Sequence, residues 1–297
     1  MTDAEHAVDH APEYAPLPAN VRTGFATRAG GADPGPGAVA LFWLGQEGIL
    51  LKSEDLTLLI DPFLCQYPAR LIPPADAPEA FAFVDYVLAT HEHLDHLDLA
   101  AWQRVAAAAE AIRFVAPRAL LDQIAAAGID PGRVIAADPG EALELGPATV
   151  VPIRGVHGIS VESGYSDGTD SPPGLPRFLG YVVDLAGIRI YHAGDTIFVD
   201  GLVEQLADLA IDIALLPING RDHLREKAGL VGNMGPREAA DLAAAIGATV
   251  VVPLHWDLMD GNTENPAHFV DYLSRTYPDI TALVLGRFAG VTLGKPV

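Results

Sequence analysis

Thr90-His91-Glu92-His93-Leu94-Asp95-His96 concentrates groups that bind metal ions. His91, His93 and His96 offer imidazole nitrogen, and Asp95 adds a carboxylate oxygen within the same short stretch. Borderline-soft nitrogen combined with hard oxygen suits zinc, manganese or iron. A divalent cation held this way lowers the pKa of a water toward neutrality, so the chemistry expected is hydrolysis. The competing reading is a solvated charged turn, which would require four ligand-type residues to cluster without purpose.

The motif alone cannot complete two metal sites, so further ligands are expected at strand ends downstream. Three candidates sit in tight Gly or Pro surroundings: His157 in Gly155-Val156-His157-Gly158, Asp195 in Ala193-Gly194-Asp195-Thr196, and His255 in Pro253-Leu254-His255-Trp256. Taken singly, each reads as readily as an ordinary polar residue at the end of a strand.

Short apolar runs at Val39–Leu44, Gly48–Lys52 and Leu56–Ile60 suit a β-meander. Tyr86–Thr90 reads as a buried strand and Leu97–Ile112 as the helix after it, with Leu99, Trp102, Val105, Ala109 and Ile112 on one face. The first motif therefore falls between a strand end and a helix, a usual place for an α/β active site. The pattern continues with strands at Phe114–Ala116, Arg133–Ala136 and Ala142–Leu145, and a helix over Arg118–Ala127. The second half repeats it. Strands are expected at Thr149–Ile153, Tyr181–Leu185, Arg189–His192, Ile213–Pro217, Thr249–Pro253, Ala282–Leu285 and Gly290–Leu293. Helices are expected at Leu202–Ala210, Pro236–Ile246 and Pro266–Tyr277. Two such halves suggest two sheets with helices outside each, a four-layer αββα sandwich of the α/β class. Residues 1–37, acidic and rich in Pro and Gly, read as a flexible or loosely docked arm before a folded domain over 38–297.

The order H-x-H-x-D-H, then His157, then Gly194-Asp195, then His255 resembles the metallo-β-lactamase superfamily. Within it, the chain is similar to the L-ascorbate-6-phosphate lactonase group. Phe42–Gly45 with Gly48–Ser53, Val87–His93, Ile190–Asp195, Ile211–Leu215 and Val250–His255 carry that likeness, which spans about residues 39–293. The resemblance implies that His91, His93 and His157 bind one metal, that Asp95, His96 and His255 bind a second, and that Asp195 bridges them. It further implies that Asp61, in Leu59-Ile60-Asp61-Pro62, props the metal loop from behind, and that Asp95 and Asp195 serve catalysis. A flavodiiron protein of this fold would carry Glu in place of His93. The stretch 158–179 does not align with the lactonase group, and such loops set substrate choice.

The resemblance makes a sugar-acid phosphate lactone the specific substrate guess, within a broader expectation of a small anionic ester or lactone. The alternatives are a phosphodiesterase of the phospholipase D-like branch and a non-catalytic metal-binding subunit. For an anionic substrate, Arg221 and Asn219 in Asn219-Gly220-Arg221-Asp222-His223-Leu224-Arg225-Glu226-Lys227 are the expected contacts, with Arg225 or Lys227 in support. The same loop could equally be solvated, its charges paired with Asp222 and Glu226. Trp256 is a candidate pocket wall, and His192, beside the bridging segment, a candidate supporting donor. Cys65 has no evident activating partner and reads as a packed side chain.

Net charge narrows the partners. At −21, with three lysines, the chain repels phosphate backbones, so nucleic acid is not an expected partner. No run of about 18 apolar residues suggests a membrane span. Residues 1–10 lack a basic stretch followed by an apolar one, so a cytoplasmic location is expected. Self-association is possible, with no interface legible. The single cysteine forbids an internal disulfide.

Overall fold

The computed structural model describes residues 24–158 and 175–294. Fourteen strands form two seven-stranded mixed sheets. The first holds β1 (Ala38–Gly45), β2 (Gly48–Lys52), β3 (Thr57–Ile60), β4 (Tyr86–Leu88), β5 (Arg113–Pro117), β6 (Val134–Ala137) and β14 (Gly290–Gly294), in the order β14-β1-β2-β3-β4-β5-β6. The second holds β7 (Leu143–Leu145), β8 (Ala148–Arg154), β9 (Leu179–Leu185), β10 (Ile188–His192), β11 (Ile213–Pro217), β12 (Val250–Leu254) and β13 (Thr281–Ala282), in the order β13-β12-β11-β10-β9-β8-β7. Each sheet is antiparallel where hairpins join its strands and parallel where helices do, as in β3-β4-β5-β6 and β10-β11-β12-β13.

Side-chain alternation builds the layers. Leu41, Trp43, Ile49, Leu58 and Ile60 meet Val150, Tyr181, Val183, Ile190, Leu215 and Val252 in the core between the sheets. Their neighbours in sequence turn the other way, as the two-residue period of a strand requires. Leu50, Leu59 and Val87 pack on Trp102 and Val105 of the helix Leu99–Ala108. Val182, Tyr191, Leu216 and Val251 pack on Leu202, Leu242 and Phe269 of the helices Asp200–Leu206, Pro236–Ala245 and Pro266–Thr276. Strands apolar on both faces therefore dictate helix, sheet, sheet, helix, the expected αββα sandwich.

The helix expected over Leu97–Ile112 is shorter, because both of its ends are taken by other partners. Asp98 caps the start, accepting from Ala101 N at 3.0 Å. Arg133 collects the carbonyls of Ala106, Ala109 and Ile112 at 2.8–2.9 Å, which ends the helix and leads Ile112, still buried, into β5.

The expected arm is corrected over its last part. Phe25–Gly30 is a helix whose Phe25, Ala26 and Ala29 are buried. The Phe25 ring lies 6.0 Å from that of Phe42 and 5.7 Å from that of Phe288. Asp76 accepts from Ala26 N at 2.7 Å. A short apolar stripe was hidden by the Gly and Pro around it. Residues 1–23 of the expected arm lie outside the described residues. Among the described residues no helix is long and apolar enough to cross a membrane.

Candidate metal centre

One end of the two sheets gathers the residues singled out above. His91 follows β4, His157 follows β8, Asp195 follows β10 and His255 follows β12. Pairing of β3 with β4 and of β11 with β10 and β12 brings these strand ends side by side. Two of the turns leave ordinary backbone space: Asp61 has φ 47° and His255 φ 57°. Non-glycine residues held in the left-handed region cluster where surrounding structure over-determines them, commonly at functional sites.

Two groups of ligand atoms result, each within 4.8 Å of one another: His91, His93, His157 and Asp195, then Asp95, His96 and His255. Asp195 faces both. Its Oδ2 lies 3.4 Å from His157 Nε2 and 3.9 Å from His91 Nε2. Its Oδ1 lies 3.2 Å from His255 Nε2 and 3.4 Å from His96 Nε2. Asp95 Oδ2 lies 3.7 Å from both His96 Nε2 and His255 Nε2. All seven side chains expected from the sequence to meet do so.

Residues 57–256 match the family model described as the beta-lactamase superfamily domain. A UPF0173 metal-dependent hydrolase of Thermococcus kodakarensis is 31% identical over 78% of this chain and 90% of its own length. The chain belongs to the metallo-β-lactamase superfamily. A probable L-ascorbate-6-phosphate lactonase of Escherichia coli O139:H28 is 25% identical over 78% of this chain and 73% of its own. Igni18, a metallo hydrolase from Ignicoccus hospitalis, superimposes with a TM-score of 0.67 at 20% identity, covering 87% of this chain and 100% of its own, and shares the fold.

The donor set of this superfamily member fits a pair of cations. His96 Nε2 and Asp195 Oδ1 are buried and have no hydrogen-bond partner of good geometry. Leaving such groups unsatisfied costs about 1–3 kcal/mol each, which a cation between them would remove. Burial drives His157 down to about 3, against the pull of Asp195. It also holds His91 well below its ordinary value, with His96 and His93 adding to the effect. For His96 and His255 burial opposes charge too, but Asp195 and Asp95 outweigh it and hold both imidazoles up. Burial works against charge on Asp195 as well, yet His255, His96 and His157 keep its carboxyl well below the usual carboxylate range. An excess of compensated buried charge marks a functional site.

The supporting network fixes tautomers. Asp61 Oδ1 accepts from Thr90 N at 2.8 Å, and its Oδ2 accepts from Thr90 Oγ1 at 2.6 Å and from His96 Nδ1 at 2.7 Å. With a cation bound, the proton held on His96 Nδ1 by Asp61 would leave Nε2 free to serve as the ligand atom. His192 sits one step further back: its Nε2 donates to Glu47 O at 2.8 Å, and its Nδ1 accepts from Gly194 N at 3.3 Å.

Two contributors were not legible as such. Gln46, fully buried at φ 54° in the β1–β2 turn, donates from Nε2 to Asp95 Oδ2 at 2.8 Å. Its carbonyl accepts from His255 N at 3.1 Å. Glu47 beside it is fully buried, and burial, reinforced by Asp195, raises its carboxyl well above the usual range. The available signal was two polar residues, Gln46-Glu47, inside an otherwise apolar hairpin.

Several expected contacts lie elsewhere. The Arg221 guanidinium makes a bidentate pair with Glu238 at 2.7 and 2.8 Å and reaches Asn233 O at 3.0 Å. That corrects the expectation that it meets an anionic substrate. Arg225 caps Asn219 O at 2.6 Å and pairs with Asp222 at 2.6 Å. Asn219 is buried and donates to Asn262 Oδ1 at 2.9 Å, so it stands behind the cavity and not in its wall. The Trp256 ring packs tilted against Trp43, 5.0 Å between centroids, at the edge of the core and donates to Pro253 O; it does not line the cavity. Glu92, between the ligands His91 and His93, is largely buried and paired with Arg177. Burial pushes the Cys65 thiol up to about 11, with Asp98 adding, which keeps it protonated and unreactive. Of the stretch 158–179, residues 159–174 lie outside the described residues.

Proposed function

We propose that this chain is a metal-dependent hydrolase with a two-cation centre. His91, His93 and His157 would hold one cation, Asp95, His96 and His255 the other, and Asp195 both. The observation that carries the reading is the placement of Asp195, whose two oxygens face the two histidine groups separately. When bound, the cations supply Lewis acidity and a water activated to nucleophile at neutral pH. Zinc, manganese and iron all suit this mix of imidazole and carboxylate.

The chain's residues supply the remainder. Asp61 and Thr90 orient the histidines. Asp95 opens on the cavity, and with Oδ2 held by Gln46 it is placed to orient the attacking water or receive its proton. A cavity of about 350 Å³ in front of the ligands sets a small substrate. The names borne by the Thermococcus and Escherichia relatives favour hydrolysis, and the second favours a lactone or ester carbonyl as electrophile.

Metal analysis of the purified protein, followed by a panel of esters, lactones and phosphodiesters with and without chelator, tests this reading. Two cations per chain and chelator-sensitive hydrolysis are expected. Asp195→Ala should remove both together. Retention of two cations and full rate by that variant would sink the assignment.

A further inference from the structure

We infer that the cavity before the metal centre takes a substrate whose non-reacting part is uncharged and apolar. The inference rests on the hydrolase reading and names its substrate class. Phe63, Tyr67, Leu94, Leu230, Val231 and Met259 make up most of the wall away from the ligand atoms. Tyr67 and Leu94 are 40% and 45% exposed, large apolar side chains at the mouth. The polar groups of the wall beyond the ligands are the Tyr67 hydroxyl, Asn262 and the exposed carboxylate of Asp260.

No Lys or Arg is among the described residues that line the cavity. The guanidinium groups of Arg70, Arg177, Arg221 and Arg225 all make other contacts. Arg70 does not line the cavity; its guanidinium lies 4.3 Å from the Phe63 ring centroid, Nη1 donates to Phe63 O at 2.7 Å and Nε to Ile72 O at 3.0 Å, and Nη2 is buried. Arg177 pairs with Glu92, and Arg221 with Glu238. Arg225 pairs with Asp222. Lys227 is exposed and does not line the cavity. The segments outside the description add only Arg22 and Lys295, and 159–174 contains Glu162, Asp167 and Asp170 with no basic residue.

A carboxylate or phosphate carried into this wall loses water and meets no basic side chain among the described lining residues, which costs roughly 10- to 100-fold in affinity. An alkyl chain in the same place gains about 4-fold per buried methylene. The two terms together select against the anionic tail that a sugar phosphate brings.

The test is a matched set of aryl esters with one leaving group: butanoyl, hexanoyl, and hexanedioyl with its free distal carboxylate. Expected is a rise in kcat/KM from butanoyl to hexanoyl and a fall of roughly 10-fold or more from hexanoyl to hexanedioyl. Leu230→Arg, a wall position outside the hydrophobic cores, should narrow the last ratio. A hexanedioyl ester cleaved as fast as the hexanoyl one, or a ratio unmoved by Leu230→Arg in a folded variant, would overturn the inference and leave the hydrolase reading standing. Calorimetric titration with hexanohydroxamate and its distal-carboxylate analogue reads the wall without turnover. If none of these esters is cleaved, the hydrolase reading rests on the lactones and phosphodiesters, while tighter binding of the uncharged hydroxamate would still support the inference. Equal affinity, or no binding of either, would overturn it.

Discussion

His96 Nδ1 lies 2.7 Å from Asp61 Oδ2, with both side chains fully buried, so the imidazole that faces Asp195 is oriented from behind by a carboxylate. Asp61→Asn tests this directly. The amide keeps an acceptor for Thr90 N and tolerates φ 47°. It places a donor, however, against His96 Nδ1, forcing the proton to Nε2 and blunting the metal-facing lone pair. Affinity for one cation should fall roughly 10- to 100-fold, read by chelator competition, while the other stays bound. Unchanged affinity at both sites would remove the orienting role.

How much of this was legible follows from what each residue depends on. His91, His93, Asp95 and His96 share one loop, so local spacing sufficed to find them. His157, Asp195 and His255 were found through chain order and tight Gly or Pro settings, although sheet pairing alone brings them together. The layers were legible because strand runs apolar on both faces admit few arrangements. Arg221 was misread because a basic residue in an acidic chain suggested a ligand, whereas the helix Pro236–Ala245 supplies Glu238 as its partner. Gln46 was missed because its importance lies in the backbone turn that aims its amide at Asp95. Helix Phe25–Gly30 was missed because three buried side chains are too few to show a period.

Gln46→Met keeps size and reach but removes the donor that meets Asp95 Oδ2 at 2.8 Å. If Asp95 must be held to orient water, kcat should fall roughly 10-fold or more with little change in KM. Thermal unfolding should move little, because the backbone contacts of residue 46 to His255 N and Asp257 Oδ1 remain. A large loss of stability with unchanged kcat per folded molecule would make Gln46 a packing residue only.

Gly194 brings the Asp195 turn against the metal loop. It has φ 59°, and a Cβ there would lie 2.8 Å from both Leu179 O and Thr90 Cβ. Gly194→Ala should therefore destabilise the protein by about 2–4 kcal/mol and cost metal, since Thr90 and Asp195 must move apart. Gly187→Ala is the control, with φ 77° and nothing within 4 Å. It bears only the left-handed penalty of about 1–2 kcal/mol. Denaturant midpoints for the two variants separate backbone conformation from close approach, and equal losses would deny the contact any role.

Glu47 gives a pH signature of known sign. Its carboxyl is raised well above 4.5, chiefly by burial and then by Asp195, so the folded chain keeps a proton that the unfolded chain releases. Stability from this group is complete below pH 4.5, declines as pH rises through that value, and stops declining only above the folded pKa. The decline cannot exceed about 1.4 kcal/mol per pH unit for one proton. Glu47→Gln replaces the acid by a neutral amide of the same shape and removes that dependence. In chelator-stripped protein, unfolding free energies of variant minus wild type should therefore grow steadily in the variant's favour between about pH 5 and pH 7. The other titrating groups are common to both proteins and cancel in the difference. A difference that stays flat across that range would mean that Glu47 is ionised in the fold, with His96, or a protonated His192 whose Nε2 lies 3.6 Å from Glu47 Oε2, as its counter-charge.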